Sequence, residues 1–363
     1  MASQISHALV GRRALRLAFP DKATSILERS GTWFNLGCQG PDIFSHNQRT
    51  RPLSVTYGSL LHRRGRGTFL GALAEQASGE GLDSPLSAFV LGFVTHVGLD
   101  RLTHPYIVYK AGWDSPDREG SEAYRSAHPF LERILDAALW KRETGGDIRT
   151  FMQADALVPE AALPEAFTAR IARALVMAYP ERAGTDTLLE RRIRNGFVDS
   201  EFFYRHTDPS ITSMSGENPS GYGPSFIEHG YRAVALVYPE GIERALDWAN
   251  EDAALWLHPC DDAVESRRSY YGLCDEAAQE SSRHLEYAAA ALGGIAGAAS
   301  ALAASVGGGT LNVGNSKGEQ TRPRFMDPFP LKRYMEEQFS RRADFLRRKD
   351  EEGGSPARDE NLD

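Results

Sequence analysis

The sequence predicts an all-α protein, a multi-helix bundle packed around a core. Apolar residues recur at helical spacing over most of the chain, and the alternation typical of strands is nearly absent. The 363 residues are 41% hydrophobic and 25% charged, as in ordinary globular proteins. We expect residues 1–340 to form a single helical domain with a metal-ligand half, 1–145, and a variable half, 146–340. A charged tail, 341–363, is expected to be disordered.

The helical pattern recurs in several segments along the chain. After a first helix that contains His7, the predicted helices cover residues 68–77, 85–109, 128–143, 163–179, 186–198, 241–257 and 261–292. Residues 287–316 carry no charge, and Ala, Gly and Ser dominate this segment. Because small residues let helix backbones approach closely, we expect a close-packed buried helix here and no membrane span.

Three stretches rich in Gly, Pro, Ser, Asn or Asp are predicted to be loops, at residues 31–52, 110–127 and 206–225. The last two are expected to shape specificity. Residues 331–349 are amphipathic with mixed charge. They predict either an ordinary solvated helix or an interfacial helix that makes peripheral contact with a membrane.

Charge and cysteine content exclude several classes of protein. The formal net charge of -8 argues against stable nucleic-acid binding, which needs basic surface. The three cysteines, at positions 38, 260 and 274, are widely spaced and form no CxxC pair. They predict neither a disulfide framework nor a zinc finger, and they suit a reducing compartment. The N-terminal segment has no signal-peptide pattern, so we expect a cytoplasmic protein.

Residues 93–109 place His96, Asp100 and His104 four residues apart on an otherwise apolar helix. A helix returns to nearly the same face every four residues, so the three side chains point the same way. Buried imidazoles and carboxylates need partners. His128 and Glu132 repeat the spacing on a second predicted helix. Two helices that offer such ligands inward predict a metal site, and nitrogen and oxygen ligands suit zinc or another divalent first-row metal.

Further candidate ligands lie upstream. Asp42 follows Gly40 and Pro41 in a predicted tight turn, and His62 begins the basic run 62–67. His46 is the alternative to His62, which the spacing favours. His7 is either a ligand or a surface residue.

In this order the residues resemble the zinc-dependent phospholipase C family, whose fold is shared with the S1/P1 nucleases. The order is a first His, an Asp, a His, an HxxxD…H run and an HxxxE pair. The matching residues are His7, Asp42, His62, His96, Asp100, His104, His128 and Glu132. The resemblance covers roughly residues 5–140. It implies a bundle of the phospholipase C/P1 nuclease type.

The resemblance also implies two or three adjacent zinc ions. One would be held by Asp42, His62, His96 and Asp100, and a second by His104, His128 and Glu132. His7 would serve a third together with a bridging Asp100. Such a cluster suits hydrolysis of a phosphodiester by activated water, with Asp42 as the carboxylate that orients or deprotonates it.

The expected substrates are phospholipids or related head-group phosphodiesters. The basic run 62–67 and Lys110 would help to attract an anionic group. One alternative is a single-strand nuclease of the S1/P1 type, which the acidic balance of the chain disfavours. A second alternative is a metal-binding protein on the same fold that has no catalytic activity.

Overall fold

The computed structural model describes residues 3–54, 56–115, 117–161, 163–214, 231–242, 244–315 and 318–351. The helices of the first half are α1 (Gln4–Ala18), α2 (Ala23–Cys38), α3 (Asp42–Ser45), α4 (Tyr57–Arg63), α5 (Arg66–Gln76), α6 (Pro85–Ala111), α7 (Ala127–Thr144), α8 (Gln153–Leu157) and α9 (Glu165–Ala178). Short 3₁₀ helices cover Ser121–Tyr124 and Ile148–Thr150.

The second half adds α10 (Pro180–Ala183), α11 (Leu189–His206), α12 (Pro209–Thr212), α13 (Tyr231–Val234), α14 (Tyr270–Leu292), α15 (Ala298–Val306) and α16 (Leu331–Glu351). Its strands β1 (Trp256–His258) and β2 (Asp261–Ser266) pair antiparallel. Because the described residues contain one small sheet among many helices, the all-α prediction is confirmed.

Helix α6 is the centre of the bundle. It begins at Pro85, directly after Ser84, whose side chain accepts a hydrogen bond from Ser87 N and so caps the helix. Most of its residues are buried, because α1, α2 and α14 pack around it. A helix that is apolar on nearly all sides is stable only inside a protein. The polar residues of α6 therefore face partners within the bundle.

Two glycines allow α2 and α6 to pack with their backbones in contact. A β-carbon at Gly92 of α6 would clash with the carbonyl of Phe34, and one at Gly37 of α2 would clash with the carbonyl of Phe89. Gly37 lies within the stretch 31–52, which was predicted to be a loop. That prediction is wrong for residues 31–38 and 42–45, which belong to α2 and α3. The glycine serves helix packing here and does not end the helix.

The helix predicted over residues 241–257 is not present in the described part of that segment. Asn250 and Ala253 have φ of 58° and 55°, which a helix cannot contain. The carboxylate of Asp247 accepts hydrogen bonds from the backbone of residues 251 and 252, which fixes a turn. The apolar residues Trp248 and Trp256 are nevertheless buried. The prediction was wrong because the segment is rich in buried apolar residues although its described part is not helical.

The predicted helix 261–292 is shorter in the structure. Residues 261–266 form β2, and α14 begins at Tyr270 after the capping side chain of Ser269. The buried helix predicted within residues 287–316 is interrupted, because Gly294 and Gly297 have φ of 75° and 78°. Close packing is still found, since a β-carbon at Gly71 of α5 would meet the carbonyl of Ala299 of α15 at 2.6 Å.

Part of the segment 341–363, which was predicted to be a disordered tail, is helical. Helix α16 continues to Glu351, so residues 341–351 are ordered as a helix and the predicted disorder is wrong there. Arg342 is buried and donates hydrogen bonds to the carbonyls of Thr212 and Tyr238. The apolar residues Tyr334 and Met335 of α16 are also buried, so this helix packs on the protein through its apolar face.

Most of the predicted loop 206–225 lies outside the described residues, which include only 206–214 of it. Among the described helices, none combines the length and the apolar character that crossing a membrane requires.

Candidate metal centre

Asp100 of α6 is surrounded by four imidazoles. Nε2 of His96 lies 3.0 Å from Asp100 Oδ2, and Nε2 of His62 lies 3.5 Å from the same oxygen. Nε2 of His7 and Nε2 of His104 lie 3.2 Å and 3.8 Å from Asp100 Oδ1. Asp100 itself is only 4% exposed. A buried carboxylate with imidazoles on both oxygens is placed as a bridging metal ligand would be.

The predicted ligands meet in three groups, each with its ligand atoms within 4.8 Å of one another. The groups are His7, His96 and Asp100; Asp42, His62 and His96; and His104, His128 and Glu132. The first two share His96, and Asp100 links them to the third group through His104. The structure therefore brings together all eight residues that the sequence singled out.

Short local distances define the two outer groups. Nε2 of His62 lies 3.2 Å from Asp42 Oδ1. Nε2 of His128 lies 3.3 Å from Glu132 Oε1, and Nε2 of His104 lies 3.8 Å from it. His128 and Glu132 are one turn apart on α7, as the spacing predicted.

Five helices supply these side chains. His7 comes from α1, Asp42 from the start of α3 and His62 from the last turn of α4. The other five lie on α6 and α7. The rings of His7 and His96 stack, with centroids 4.2 Å apart and an interplanar angle of 10°. The packing of α1 on α6 therefore orients both rings.

Backbone carbonyls fix three of the imidazoles. Nδ1 of His62 lies 2.8 Å from the carbonyl oxygen of residue 58. Nδ1 of His96 lies 3.0 Å from the carbonyl oxygen of residue 38. Nδ1 of His104 lies 2.6 Å from the carbonyl oxygen of residue 311. A carbonyl only accepts, so Nδ1 donates in each case and Nε2 is left to face the centre. Metal-binding histidines are oriented in this way. The donor set and its orientation fit zinc.

Electrostatics favour a cation at the centre. Burial alone would raise the pKa of Asp100, but the surrounding His104, His96, His62 and His7 hold it well below its ordinary value. Burial alone would lower the pKa of His62, but hydrogen bonds to Asp100 and Asp42 outweigh it and raise the pKa from 6.5 to about 10. In the metal-free protein, His62 therefore carries a proton that a metal ion would have to displace.

Because protons and zinc compete for His62, the stabilisation of the protein by zinc is expected to depend on pH. In the metal-free protein the stabilisation from protonated His62 is fully present below pH 6.5 and is lost as the pH rises towards 10. Zinc binding displaces the proton, so it strengthens over the same range. We expect the difference in Tm between zinc-loaded and EDTA-treated protein to widen as the pH rises from 6.5 to about 9. A difference that stays constant or narrows in thermal unfolding scans would contradict this.

Gly40 makes room for His96. Its φ is 55°, and a β-carbon there would lie 2.7 Å from His96 Cδ2 and closer still to Cγ. We expect Gly40→Ala to lower the free energy of unfolding by about 3 kcal/mol, from the left-handed backbone and the clash together. The zinc content should fall because the ring is displaced. Gly120→Ala is the matched control, since Gly120 has a φ of 76° and a β-carbon there would meet nothing within 4 Å beyond its chain neighbours.

The Gly120 variant should cost only about 1 kcal/mol and keep its zinc. Equal losses of stability in the two variants, measured by denaturant unfolding, would show that the His96 ring does not depend on Gly40.

All members of the three groups except the fully buried His96 line an open cleft of about 340 Å³. Its other lining residues are Ser45, Thr56, Ser59, Arg63 and Asn312. His128 is the most exposed of the candidate ligands, with 31% of its side chain accessible. The cleft therefore gives a solvent-borne ligand access to the imidazoles and carboxylates.

The second half of the chain contributes to the centre through a segment that sequence reasoning missed. The carbonyl of Leu311 accepts the hydrogen bond from His104, and Leu311 N donates to the carbonyl of His62 at 2.7 Å. Asn312 then lines the cleft. These contacts use the backbone, so no side-chain pattern signals them. A run of three glycines at 307–309 directly before the segment is the one sequence sign of an unusual chain path.

Other sequence candidates lie elsewhere. His46 packs against Phe203 and Tyr204, and burial lowers its pKa to about 4. His46 belongs to none of the three groups, whereas His62 belongs to one of them. Lys110, expected to attract an anionic group, lies 2.6 Å from Asp327 and forms an ion pair with it.

Comparison with known families agrees with the geometry. Residues 6–180 match a family model described as zinc dependent phospholipase C. No curated protein and no solved structure matches the chain significantly. The matched segment contains all eight residues of the three groups. Over residues 6–180, just under half of its length, the chain is similar to the zinc-dependent phospholipase C family.

Proposed function

We propose that this protein is a zinc-dependent phosphodiester hydrolase that cleaves phospholipids or related head-group esters. The observation that carries the proposal is the arrangement around Asp100, where four imidazoles direct Nε2 toward one buried carboxylate beside an open cleft. A histidine that only packs in the core does not need three further imidazoles to face the same carboxylate. The family match supports the zinc and phospholipase parts of the proposal.

Each of the three groups is proposed to bind one zinc ion. Asp42, His62, His96 and Asp100 would hold one zinc ion, and His104, His128 and Glu132 a second. His7 would add a third site with His96 and Asp100, although its Nδ1 has no hydrogen-bond partner among the described residues. When bound, the ions lower the pKa of water and offset the charge that develops on phosphorus.

Asp42 is the proposed catalytic carboxylate. It lies at the start of α3, on the wall of the cleft, next to His62. Burial alone would raise its pKa, but neighbouring positive charges, His62 among them, outweigh burial and keep it below its ordinary value. An ionised carboxylate at neutral pH can accept a proton from an attacking water or orient that water by a hydrogen bond.

Arg63 is proposed to attract the phosphate. Within the basic run 62–67, it is the arginine that lines the cleft, whereas Arg66 is fully buried. We expect Arg63→Ala to raise KM about 10-fold and to change kcat little, because a cation at the rim mainly promotes binding of the anion. Arg64→Ala is the matched control, since Arg64 is exposed and does not line the cleft. Equal KM values for the two variants in steady-state kinetics would contradict this role.

The function is tested by hydrolysis of dihexanoyl phosphatidylcholine. We expect zinc-loaded protein to release phosphocholine, EDTA to abolish release, and added zinc to restore it. The same preparation is assayed on a single-stranded oligonucleotide. Among its described lining residues the cleft has one basic side chain, Arg63, and no aromatic one besides the imidazoles, which disfavours the nuclease alternative. Zinc binding without turnover of either substrate would favour the non-catalytic alternative and overturn the proposal.

A further inference from the structure

A cavity lies on the side of α7 that points away from the metal centre. It encloses about 340 Å³, and none of its described lining residues also lines the metal cleft. Five of these residues have the spacing of a single helix face: Ile134, Ala137, Ala138, Lys141 and Arg142. Because a helix turns by about 100° per residue, the ligand positions 128 and 132 lie on roughly the opposite face. The cavity is therefore a separate site.

Another wall of the cavity comes from the segment in which a helix was wrongly predicted. Ile242 and Trp248 line the cavity from this segment, and Tyr271 lines it from the first turn of α14. Nε1 of Trp248 donates to the carbonyl of Ile242 at 2.9 Å, and the carbonyl of Trp248 accepts from the hydroxyl of Tyr106 at 2.6 Å. These bonds hold the indole in place, so this wall is preformed and a ligand binds without a large cost of ordering.

The interior of the cavity is apolar. Ile134, Ile242 and Trp248 are each only 3% exposed, and Tyr271 is also buried. An alkyl chain that leaves water and packs against these side chains gains affinity through the hydrophobic effect. Each methylene that enters the cavity should tighten binding about fourfold. The interior therefore favours a ligand with an apolar chain.

The rim of the cavity is positively charged, although the chain has a formal net charge of -8. Lys141, Arg142 and Arg244 are exposed cations, and Glu251 is the one acidic residue among the described lining residues. Nη1 of Arg142 lies 3.6 Å from Oε2 of Glu251, so these two charges offset each other. Lys141 and Arg244 form no ion pair with another described residue. Two cations are therefore available to attract an anion.

The surroundings of the rim disfavour a cationic ligand. The guanidinium of Arg142 already lies 4.4 Å from the centre of the Tyr271 ring, so a cation occupies that aromatic face. Two further carboxylates act on rim residues, and both have partners. Asp147 forms an ion pair with Arg149, and Asp247 accepts the backbone N–H groups of residues 251 and 252. An anionic head group is thus favoured over a quaternary ammonium.

We propose that this cavity binds a single-chain fatty-acid anion. The apolar chain lies against Ile134, Ile242 and Trp248, and the carboxylate stays at the rim beside Lys141 and Arg244. The ligand class follows from an apolar interior below two unpaired cations, because an uncharged lipid leaves the cations unused and a small anion leaves the interior unfilled. Binding here requires neither the zinc ions nor the proposed reaction.

Three probes test this assignment by calorimetry on the zinc-loaded protein, each below the concentration at which it forms micelles. Decanoate has both features, butanoate has the carboxylate on a much shorter chain, and decyltrimethylammonium has a long chain with the opposite charge. We expect butanoate to bind at least about 100-fold more weakly than decanoate, and decyltrimethylammonium at least about 10-fold more weakly. Equal affinities for decanoate and butanoate would mean that the carboxylate alone is bound, as at a zinc ion, and would overturn the proposal.

The double variant Lys141→Glu/Arg244→Glu tests the rim. Both side chains are exposed, so the variant is expected to fold, which circular dichroism verifies. It should bind decanoate at least about 10-fold more weakly and prefer decyltrimethylammonium. Arg16→Glu/Lys22→Glu is the matched control, because both residues are exposed, do not line the cavity and change the net charge equally. Unchanged decanoate affinity in the first variant, or an equal loss in both, would overturn the proposal.

Trp248→Phe tests whether the chain enters the interior. Decanoate should change the tryptophan fluorescence of the unmodified protein. Phenylalanine keeps an aromatic wall, so the affinity should stay within about 3-fold while most of the fluorescence change is lost. A fluorescence change that persists in full would place the chain elsewhere and overturn the assignment. None of these readouts depends on hydrolysis of phosphatidylcholine, so the cavity and the proposed reaction are tested separately.

Discussion

Asp100→Asn is expected to lose both zinc and activity. The carboxylate faces four imidazoles through its two oxygens. Asparagine keeps the size of the side chain but removes the negative charge and replaces one acceptor with a donor. We expect the bound zinc to fall by about one equivalent and kcat to fall on the order of 10³-fold, since bound zinc supplies the Lewis acidity. Zinc is measured by elemental analysis and kcat on dihexanoyl phosphatidylcholine.

Asp275→Asn is the control for this substitution. Asp275 is also a helical aspartate, but it lies on α14, is mostly exposed and pairs with Arg13 at the surface. It should keep its zinc and its activity. Full zinc content in Asp100→Asn would mean that Asp100 is not a shared ligand, and the account of the centre would fail.

Asp42→Asn is expected to separate metal binding from catalysis. The amide oxygen can still bind zinc, but the amide cannot accept a proton. We expect kcat to fall by about 10²- to 10⁴-fold, the usual contribution of a general base, while most of the zinc is retained. The pH profile of kcat should also lose its acidic limb. These readouts distinguish a catalytic carboxylate from a ligand alone.

The exposed Asp21 provides the control, because Asp21→Asn removes the same charge from a turn residue that does not line the cleft. If Asp42→Asn loses zinc and rate in proportion, then Asp42 acts only as a ligand, and a different group must activate the water.

Periodicity predicted the parts of the fold that depend on a buried helix face. Helices α6 and α7 lie where the apolar spacing indicated, and the polar positions His96, Asp100 and His104 stood out because they interrupt an apolar face. The prediction was wrong around Trp248 and Trp256, where buried aromatic residues lie on turns and a strand. Apolar residues show that a segment is buried but not which backbone conformation buries it.

The ligand residues could be predicted from side-chain chemistry, whereas the backbone contacts that orient them could not. Ligand residues have few other reasons to occupy apolar faces, so His128 and Glu132 were visible in the sequence. The carbonyls of Cys38 and Leu311 that orient His96 and His104 carry no residue-type signal.

The zinc content of the purified protein, measured by elemental analysis beside His96→Ala and His128→Ala, tests the central claim most directly. His96 belongs to two of the ligand groups and His128 to the third. The account predicts two or three equivalents of zinc in the unmodified protein and less in each variant. No zinc, and none taken up after incubation with excess metal, would contradict it.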